Sequence, residues 1–275
     1  MNTLTRATSD SATMVGRQLR HMRRYPSLTI MLAGMPIVML LLFVYVFGGA
    51  MGAGLGDAAA GPANSGGTGG VGGRAAYLDY IVPGILLIAV AMVAQGTAIA
   101  VATDMTEGVI ARFRTMDIAR VSVLTGHVVG ALVQTVVAVT IVVGVALLLG
   151  FRPSAGPLDW LAAAGLLAAV AFALTWLTVA LGLVSDSVET ASNTPMPLMF
   201  LPFLSSGFVP TDTLPTGLRW FAEYQPFTPM SEALRGLLMG TGAGDSAVPA
   251  LAWCAVIALA SYIWAKRLYN RRSAG

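Results

Sequence analysis

Residues 160–184 read WLAAAGLLAAVAFALTWLTVALGLV, an apolar run that contains no charged side chain. A helix needs about 20 mostly apolar residues to cross the hydrocarbon core of a bilayer, because every backbone polar group there must be hydrogen-bonded within the segment. This run is long enough and apolar enough, so it predicts a membrane-spanning helix.

The same property recurs along the chain. Uncharged intervals of at least 20 residues occupy 25–56, 80–103, 121–151, 160–185, 190–211 and 246–265. They predict an all-α integral membrane protein with six membrane-spanning helices at 28–49, 81–103, 122–149, 160–184, 195–209 and 248–265. The fifth contains Pro195, Pro197 and Pro202, so we expect a bent or partly re-entrant helix there.

The composition agrees with a membrane protein. Of 275 residues, 56% are hydrophobic and 11% are charged, whereas a soluble globular domain carries about 25% charged residues. This balance excludes a water-soluble enzyme domain and also disorder, which requires low hydrophobicity and high charge. The single cysteine, Cys254, cannot form an internal disulfide, and no Cys/His cluster has the spacing of metal ligands.

The distribution of Lys and Arg predicts that both termini are cytoplasmic. With the N-terminus inside, twelve of the sixteen basic residues fall on the cytoplasmic side, and Arg74, Arg152, Arg219 and Arg235 remain outside. The orientation of the chain in the membrane thus explains why Lys and Arg outnumber Asp and Glu, and no nucleic-acid partner is needed. A signal peptide is disfavoured for the first span because Leu28 to Phe47 is longer than an h-region of about 7–15 residues.

The chain therefore divides into a cytoplasmic tail (1–26), a six-span domain (27–265) and a basic cytoplasmic tail (266–275). Val15, Leu19 and Met22 follow helical spacing, which fits an amphipathic helix on the inner leaflet, although an unstructured basic tail is the alternative. Between the spans we expect a flexible Gly-rich external loop at 51–78, a cytoplasmic coupling loop at 104–120 and an external segment at 210–247.

The cytoplasmic loop 104–120 has the pattern of a short amphipathic helix. Asp104 and Glu107 have capping-box spacing, and Val109, Phe113 and Met116 recur at i, i+4 and i+7. The apolar face of such a helix docks either on the lipid surface or in a groove of a partner protein.

Motifs for energy conversion and catalysis are missing. A phosphate-binding P-loop needs a lysine after its glycines, and the only lysine, Lys266, follows Ala265. The six predicted spans carry no charged residue of the kind that ion-coupled carriers use, and His21 and His127 are too far apart for an H-E-x-x-H metal site. Gln95 and Gln134 lie within spans, where they either face a substrate pathway or hydrogen-bond between helices.

Three stretches carry a family resemblance. They are the loop from Glu107 to Met116 with Ala119 and Arg120, the stretch Ser205 to Pro215, and Gln225-Pro226 followed by Glu232-Ala233-Leu234-Arg235. In this order, with six spans and an amphipathic N-terminal segment, the chain resembles the membrane subunits of ABC type-2 exporters, in particular daunorubicin-resistance-type drug-export permeases. Gln225 replaces the family's usual Asn, and Asp117 replaces a common Pro.

The resemblance implies a plasma-membrane permease that moves a hydrophobic drug, antibiotic or lipid-like molecule outward. Its expected partners are two cytoplasmic ATPase subunits, which bind the ATP, and a second permease, identical or different, within the bilayer; the chain itself needs no cofactor. The expected ATPase contacts are Glu107, Gly108, Arg112, Phe113 and Arg114, and the candidate pathway residues are Gln95, Gln134, Phe203 and Phe208. The alternatives are an ion-coupled secondary transporter and a membrane-embedded lipid-modifying enzyme.

Overall fold

A computed structural model describes residues 26–48, 71–106, 120–209, 211 and 214–272. This part of the chain consists of helices and short connections and contains no β-strand, which confirms the all-α prediction. The helices are α1 (Pro26–Leu42, continued by a π-helical turn Phe43–Phe47), α2 (Val71–Thr106), α3 (Arg120–Leu148), α4 (Pro157–Val184), α5 (Val188–Asn193), α6 (Met196–Phe200), α7 (Thr216–Tyr224), α8 (Phe227–Leu238) and α9 (Ala247–Arg272).

Four of these helices are long and apolar enough to cross a membrane, namely α2, α3, α4 and α9. They coincide with the second, third, fourth and sixth predicted spans. Helix α1 and its π-helical turn cover residues 26–47, close to the first predicted span at 28–49. The long apolar intervals therefore locate the main helices to within a few residues at most ends.

The fifth predicted span, 195–209, is not one helix. The chain forms α5, then α6, then a 3-10 turn at Leu201–Leu204, and residues 205–209 are not helical. Pro197 and Pro202 explain the interruption, because proline has no backbone N–H to donate and its ring clashes with the preceding turn. The expected break at the prolines is thus confirmed.

Helix α2 lies at the centre of the bundle. Its residues 81–90 are all buried, as expected for a helix that is apolar on every side. Helix α4 approaches it closely at Gly182, where an added Cβ would lie 2.7 Å from the carbonyl oxygen of Ala98. Helix α9 packs on α4, and the buried positions of α9 are small: Ala250, Cys254, Ser261 and Ala265.

The loop boundaries differ from expectation at two places. Helix α2 begins at Val71, so residues 71–78 of the predicted Gly-rich loop form its first turns. Asp104, expected at the start of the coupling loop, lies in the last turn of α2. The interfacial helix expected within 1–26 falls on residues 1–25, outside the described part, as do residues 107–119 of the coupling loop.

The segment 210–247, predicted to be external, contains two unlike helices. Helix α7 is exposed, with Trp220 and Tyr224 each about two-thirds accessible and an ion pair between Arg219 and Glu223 at 2.7 Å. Helix α8 is largely buried against α4, α2 and α9. The second helix is thus part of the bundle.

Candidate functional site

The interrupted segment 188–209 runs alongside α2 in the opposite direction. Gln95 in α2 donates from Nε2 to the carbonyl oxygen of Ser192 at 2.8 Å. Nearer the N-terminal end of α2, Gly84 faces Gly207, where an added Cβ would lie 2.9 Å from the Gly207 carbonyl oxygen. Residues 192 to 207 therefore follow α2 from Gln95 back to Gly84.

A polar cluster, the Arg235 clasp, holds the end of this segment; it consists of Arg235, Tyr80 and Ser206. The Ser206 carbonyl oxygen accepts hydrogen bonds from Arg235 Nη2 at 2.6 Å and from the Tyr80 hydroxyl at 2.8 Å. Arg235 Nη2 also lies 3.3 Å from the Tyr80 carbonyl oxygen, and its guanidinium stands 3.9 Å from the centre of the Tyr80 ring. One arginine of α8 thus binds both α2 and the interrupted segment.

Hydroxyl groups of α8 complete the surroundings of Ser206. The Ser206 and Ser231 hydroxyl oxygens are 3.1 Å apart, and the Ser206 backbone N–H donates to Thr228 Oγ1 at 3.4 Å. Burial lowers the pKa of the Arg235 guanidinium, while Tyr80 and Glu232 oppose this shift. The ordinary pKa of arginine is far above neutrality, so the side chain stays cationic.

Three phenylalanines form an aromatic cluster next to the clasp: Phe43, Phe203 and Phe208. Phe203 and Phe208 are stacked with ring centroids 4.9 Å apart, and Phe43 lies 5.2 Å from Phe208 and 6.4 Å from Phe203. Phe208 also faces Gly84, since an added Cβ there would lie 2.9 Å from Phe208 Cε2. The structure thus brings together two of the candidate pathway residues, Phe203 and Phe208.

The other two candidates lie elsewhere. Gln95 is engaged with the Ser192 carbonyl, as in the hydrogen-bonding alternative. Gln134 is half-buried on α3, a different helix. The structure therefore does not gather all four candidates around one cavity.

A second polar contact lies at the opposite end of α2. His127 Nε2 of α3 is 3.0 Å from Asp104 Oδ2 of α2, and both side chains are largely buried. These two residues flank the segment 107–119, which holds the candidate ATPase contacts Glu107, Gly108, Arg112, Phe113 and Arg114 and lies outside the described residues. The described ranges contain no group of three His, Cys, Asp or Glu side chains able to hold a metal ion.

The sequence did not reveal the clasp or the Asp104–His127 contact. Arg235 follows Glu232 at i+3 along α8, and its hydrogen bonds go to Tyr80 and Ser206 across the bundle. One signal for the clasp was available in the sequence. Arg235 is the single basic residue of α8, and most residues of this helix are buried. His127 and its acidic partner Asp104 are 23 positions apart in the sequence, so no local pattern links them.

The family model described as ABC-2 type transporter matches residues 11–239 of this chain. The chain belongs to the ABC-2 type transporter family. The resemblance noted in the sequence is thereby confirmed, and the chain is the membrane subunit of an ABC exporter whose partner is an ABC ATPase subunit.

Two relatives of this ABC-2 family chain carry specific names. The daunorubicin resistance ABC transporter permease protein DrrB1 of Streptomyces coeruleorubidus is 32% identical over 239 residues, covering 86% of this chain and 78% of the relative. The probable doxorubicin resistance ABC transporter permease protein DrrC of Mycobacterium tuberculosis is 28% identical over 203 residues, which is 71% of each chain. Both are permease subunits by name, consistent with a transport subunit rather than an enzyme.

Proposed function

We propose that this chain crosses the cell membrane six times with both termini in the cytoplasm, and exports a hydrophobic drug-like or lipid-like molecule. The course of residues 188–209 supports the crossing count, because its contacts with Gln95 and Gly84 run antiparallel along the apolar middle part of α2. A helix rises about 1.5 Å per residue, so the segment accompanies α2 over about half the thickness of a bilayer. The names of the two relatives favour anthracycline-like cargo.

The energy for export comes from outside this chain. A P-loop requires a lysine directly after its glycines, and the single Lys266 follows Ala265 within α9. We place ATP hydrolysis in two partner subunits that dock on the segment 107–119, and we place a second permease, identical or different, beside this one in the bilayer. The polar contact between Asp104 and His127 supports this arrangement, because it joins the two helices that flank the docking segment.

The cargo passes near the aromatic cluster. Phe203 is only partly buried and stacks on Phe208, while Phe43 closes the group from α1. Stacked aromatic rings bind planar aromatic or amphiphilic molecules through dispersion and offset stacking. An inorganic ion finds no such partner in these side chains.

Reconstitution tests this function. Purified chain in vesicles, with and without the ABC ATPase subunit that co-purifies with it, should accumulate daunorubicin only when the ATPase and ATP are present. Glu107→Gln and Arg112→Gln should leave ATP hydrolysis measurable but abolish its coupling to transport, and Arg219→Gln, on the exposed helix α7, serves as the matched control. Transport by the chain alone under an ion gradient would instead identify a secondary carrier, and normal transport by both loop variants would refute the docking assignment.

A further inference from the structure

We propose that Arg235 is a positioning residue for export, which holds the turn 205–208 against α2 and so keeps the pathway closed at that end between transport cycles. The inference rests on the proposed function and adds to it the residue that sets the closed position. In the clasp, Arg235 of α8 hydrogen-bonds to both α2 and the interrupted segment.

The acceptors in this contact are backbone carbonyl groups. Arg235 donates to the carbonyl oxygens of Ser206 and Tyr80, and the Tyr80 hydroxyl donates to the same Ser206 oxygen. The turn at Ser206 follows the 3-10 residues, so its carbonyl has no helical N–H partner of the regular i+4 kind. Two charge-assisted or hydroxyl donors therefore replace the bond that a continuous helix would make.

The choice of arginine fits this task. Its planar guanidinium presents several donors in a fixed fork and also stacks on an aromatic ring. In the clasp it does both, since the guanidinium lies 3.9 Å from the Tyr80 ring centre while donating to Ser206 at 2.6 Å. A lysine keeps the charge but loses the fork and the stacking, so the conservative replacement is informative.

The clasp stands where three parts of the bundle meet. Gly207 packs against Gly84 of α2, and Phe208 next to it belongs to the aromatic cluster with Phe43 of α1. A passage between α2 and the interrupted segment at this level requires the Gly84–Gly207 contact to separate. That separation breaks the bonds to Ser206, so the strength of the clasp opposes opening.

Cysteine labelling in nanodiscs, where both faces of the bilayer are accessible, tests the proposal without assuming the topology. The chain has one cysteine, Cys254, so Cys254→Ala gives a cysteine-free background. In it Ser205→Cys places a nearly isosteric reporter at a position that is 1% exposed. Adding Arg235→Gln should raise the rate of Ser205→Cys labelling by a water-soluble maleimide about tenfold, because charged hydrogen bonds are lost. Arg235→Lys should give an intermediate rate.

The native thiol of Cys254 supplies the control for labelling. Cys254 is buried in α9, and its labelling in the otherwise wild-type chain should not change with Arg235→Gln. Faster labelling at both positions would indicate general loosening, and no change at either would show that the clasp does not hold the turn; both results overturn the proposal. If Arg235→Gln does not reach the membrane, Tyr80→Phe removes only the hydroxyl bond and should shift the Ser205→Cys rate in the same direction.

Transport separates this inference from the proposed function. With the ATPase partner, Arg235→Gln should export about tenfold less daunorubicin per ATP hydrolysed, while Arg219→Gln should match the wild type. If the wild type exports daunorubicin and Arg235→Gln exports it equally well, the role of Arg235 is refuted and the proposed function stands. Absence of ATP-dependent export in the wild type overturns the proposed function.

Discussion

His127 Nε2 lies 3.0 Å from Asp104 Oδ2, and this contact joins the last turn of α2 to the first turns of α3. The chain between these turns is the segment 107–119, which we propose to be the docking site of the ATPase. A push on that segment reaches two helices, and a bond between them makes them respond as one body. Such a bond at the base of the loop favours transmission into the membrane over local bending.

Replacing His127 by Ala should therefore uncouple ATP hydrolysis from export. The loss of a hydrogen bond to a carboxylate weakens the α2–α3 contact by about 1.5–3 kcal/mol, so ATP consumed per exported molecule should rise. Asp104→Asn, which keeps the shape and an acceptor, should have a smaller effect. The measurement is the ratio of ATPase rate to daunorubicin transport in proteoliposomes.

A matched control for this experiment is Glu189→Gln, which changes an exposed carboxylate of α5. Its coupling ratio should equal that of the wild type. An unchanged ratio in His127→Ala would show that the contact is only a packing feature.

The main helices were predictable because their signal is simple. Long uncharged intervals report the need to pair every backbone group in lipid, and α2, α3, α4 and α9 follow directly from them. The prolines at 195, 197 and 202 likewise indicated where the fifth interval breaks. These features depend on local sequence alone.

The polar contacts were not predictable because they depend on how helices rotate against each other. The acceptor of Arg235 is the carbonyl of Ser206, and a backbone carbonyl is present at every residue, so no side-chain pattern marks it. Asp104 was placed in a loop because it follows an uncharged interval, although α2 continues to Thr106. Tertiary packing, rather than propensity, decides both cases.

The closeness of α2 and α4 gives a stability prediction. Gly182→Ala adds a Cβ 2.7 Å from the Ala98 carbonyl oxygen, so the helices must separate. Overpacking of this kind costs about 1–3 kcal/mol, and we expect a lower melting temperature for the purified chain in detergent. Gly165→Ala on the same helix is the control, because its added Cβ meets no atom within 4 Å. A higher melting temperature for Gly182→Ala than for Gly165→Ala would contradict the packing.

Gln95 gives a prediction that separates structure from cargo binding. Its amide holds the Ser192 carbonyl at 2.8 Å, so Gln95→Met should lower stability by about 0.6–2 kcal/mol, the range of hydrogen bonds between membrane helices. The cargo concentration for half-maximal transport should stay the same. A shift in that concentration without a change in melting temperature would assign Gln95 to the pathway instead.

Two phenylalanines of the aromatic cluster differ in burial, and we expect one to serve packing and the other to contact cargo. Phe208 is 3% exposed and lies between Gly84 and the other two rings, whereas Phe203 is only partly buried. Truncating a fully buried phenylalanine leaves a cavity and costs about 3–5 kcal/mol. Phe208→Ala should therefore lower the melting temperature strongly.

Phe203→Ala should behave differently, because its ring is partly accessible and can contact cargo. We expect a small loss of stability and a higher daunorubicin concentration for half-maximal transport, since one stacking surface of the cluster is removed. Phe203→Leu keeps an apolar side chain but removes the aromatic ring. It should show the same shift in that concentration with almost no loss of stability. If Phe203→Leu transports daunorubicin like the wild type, the cluster serves packing alone and the cargo takes another route through the bundle.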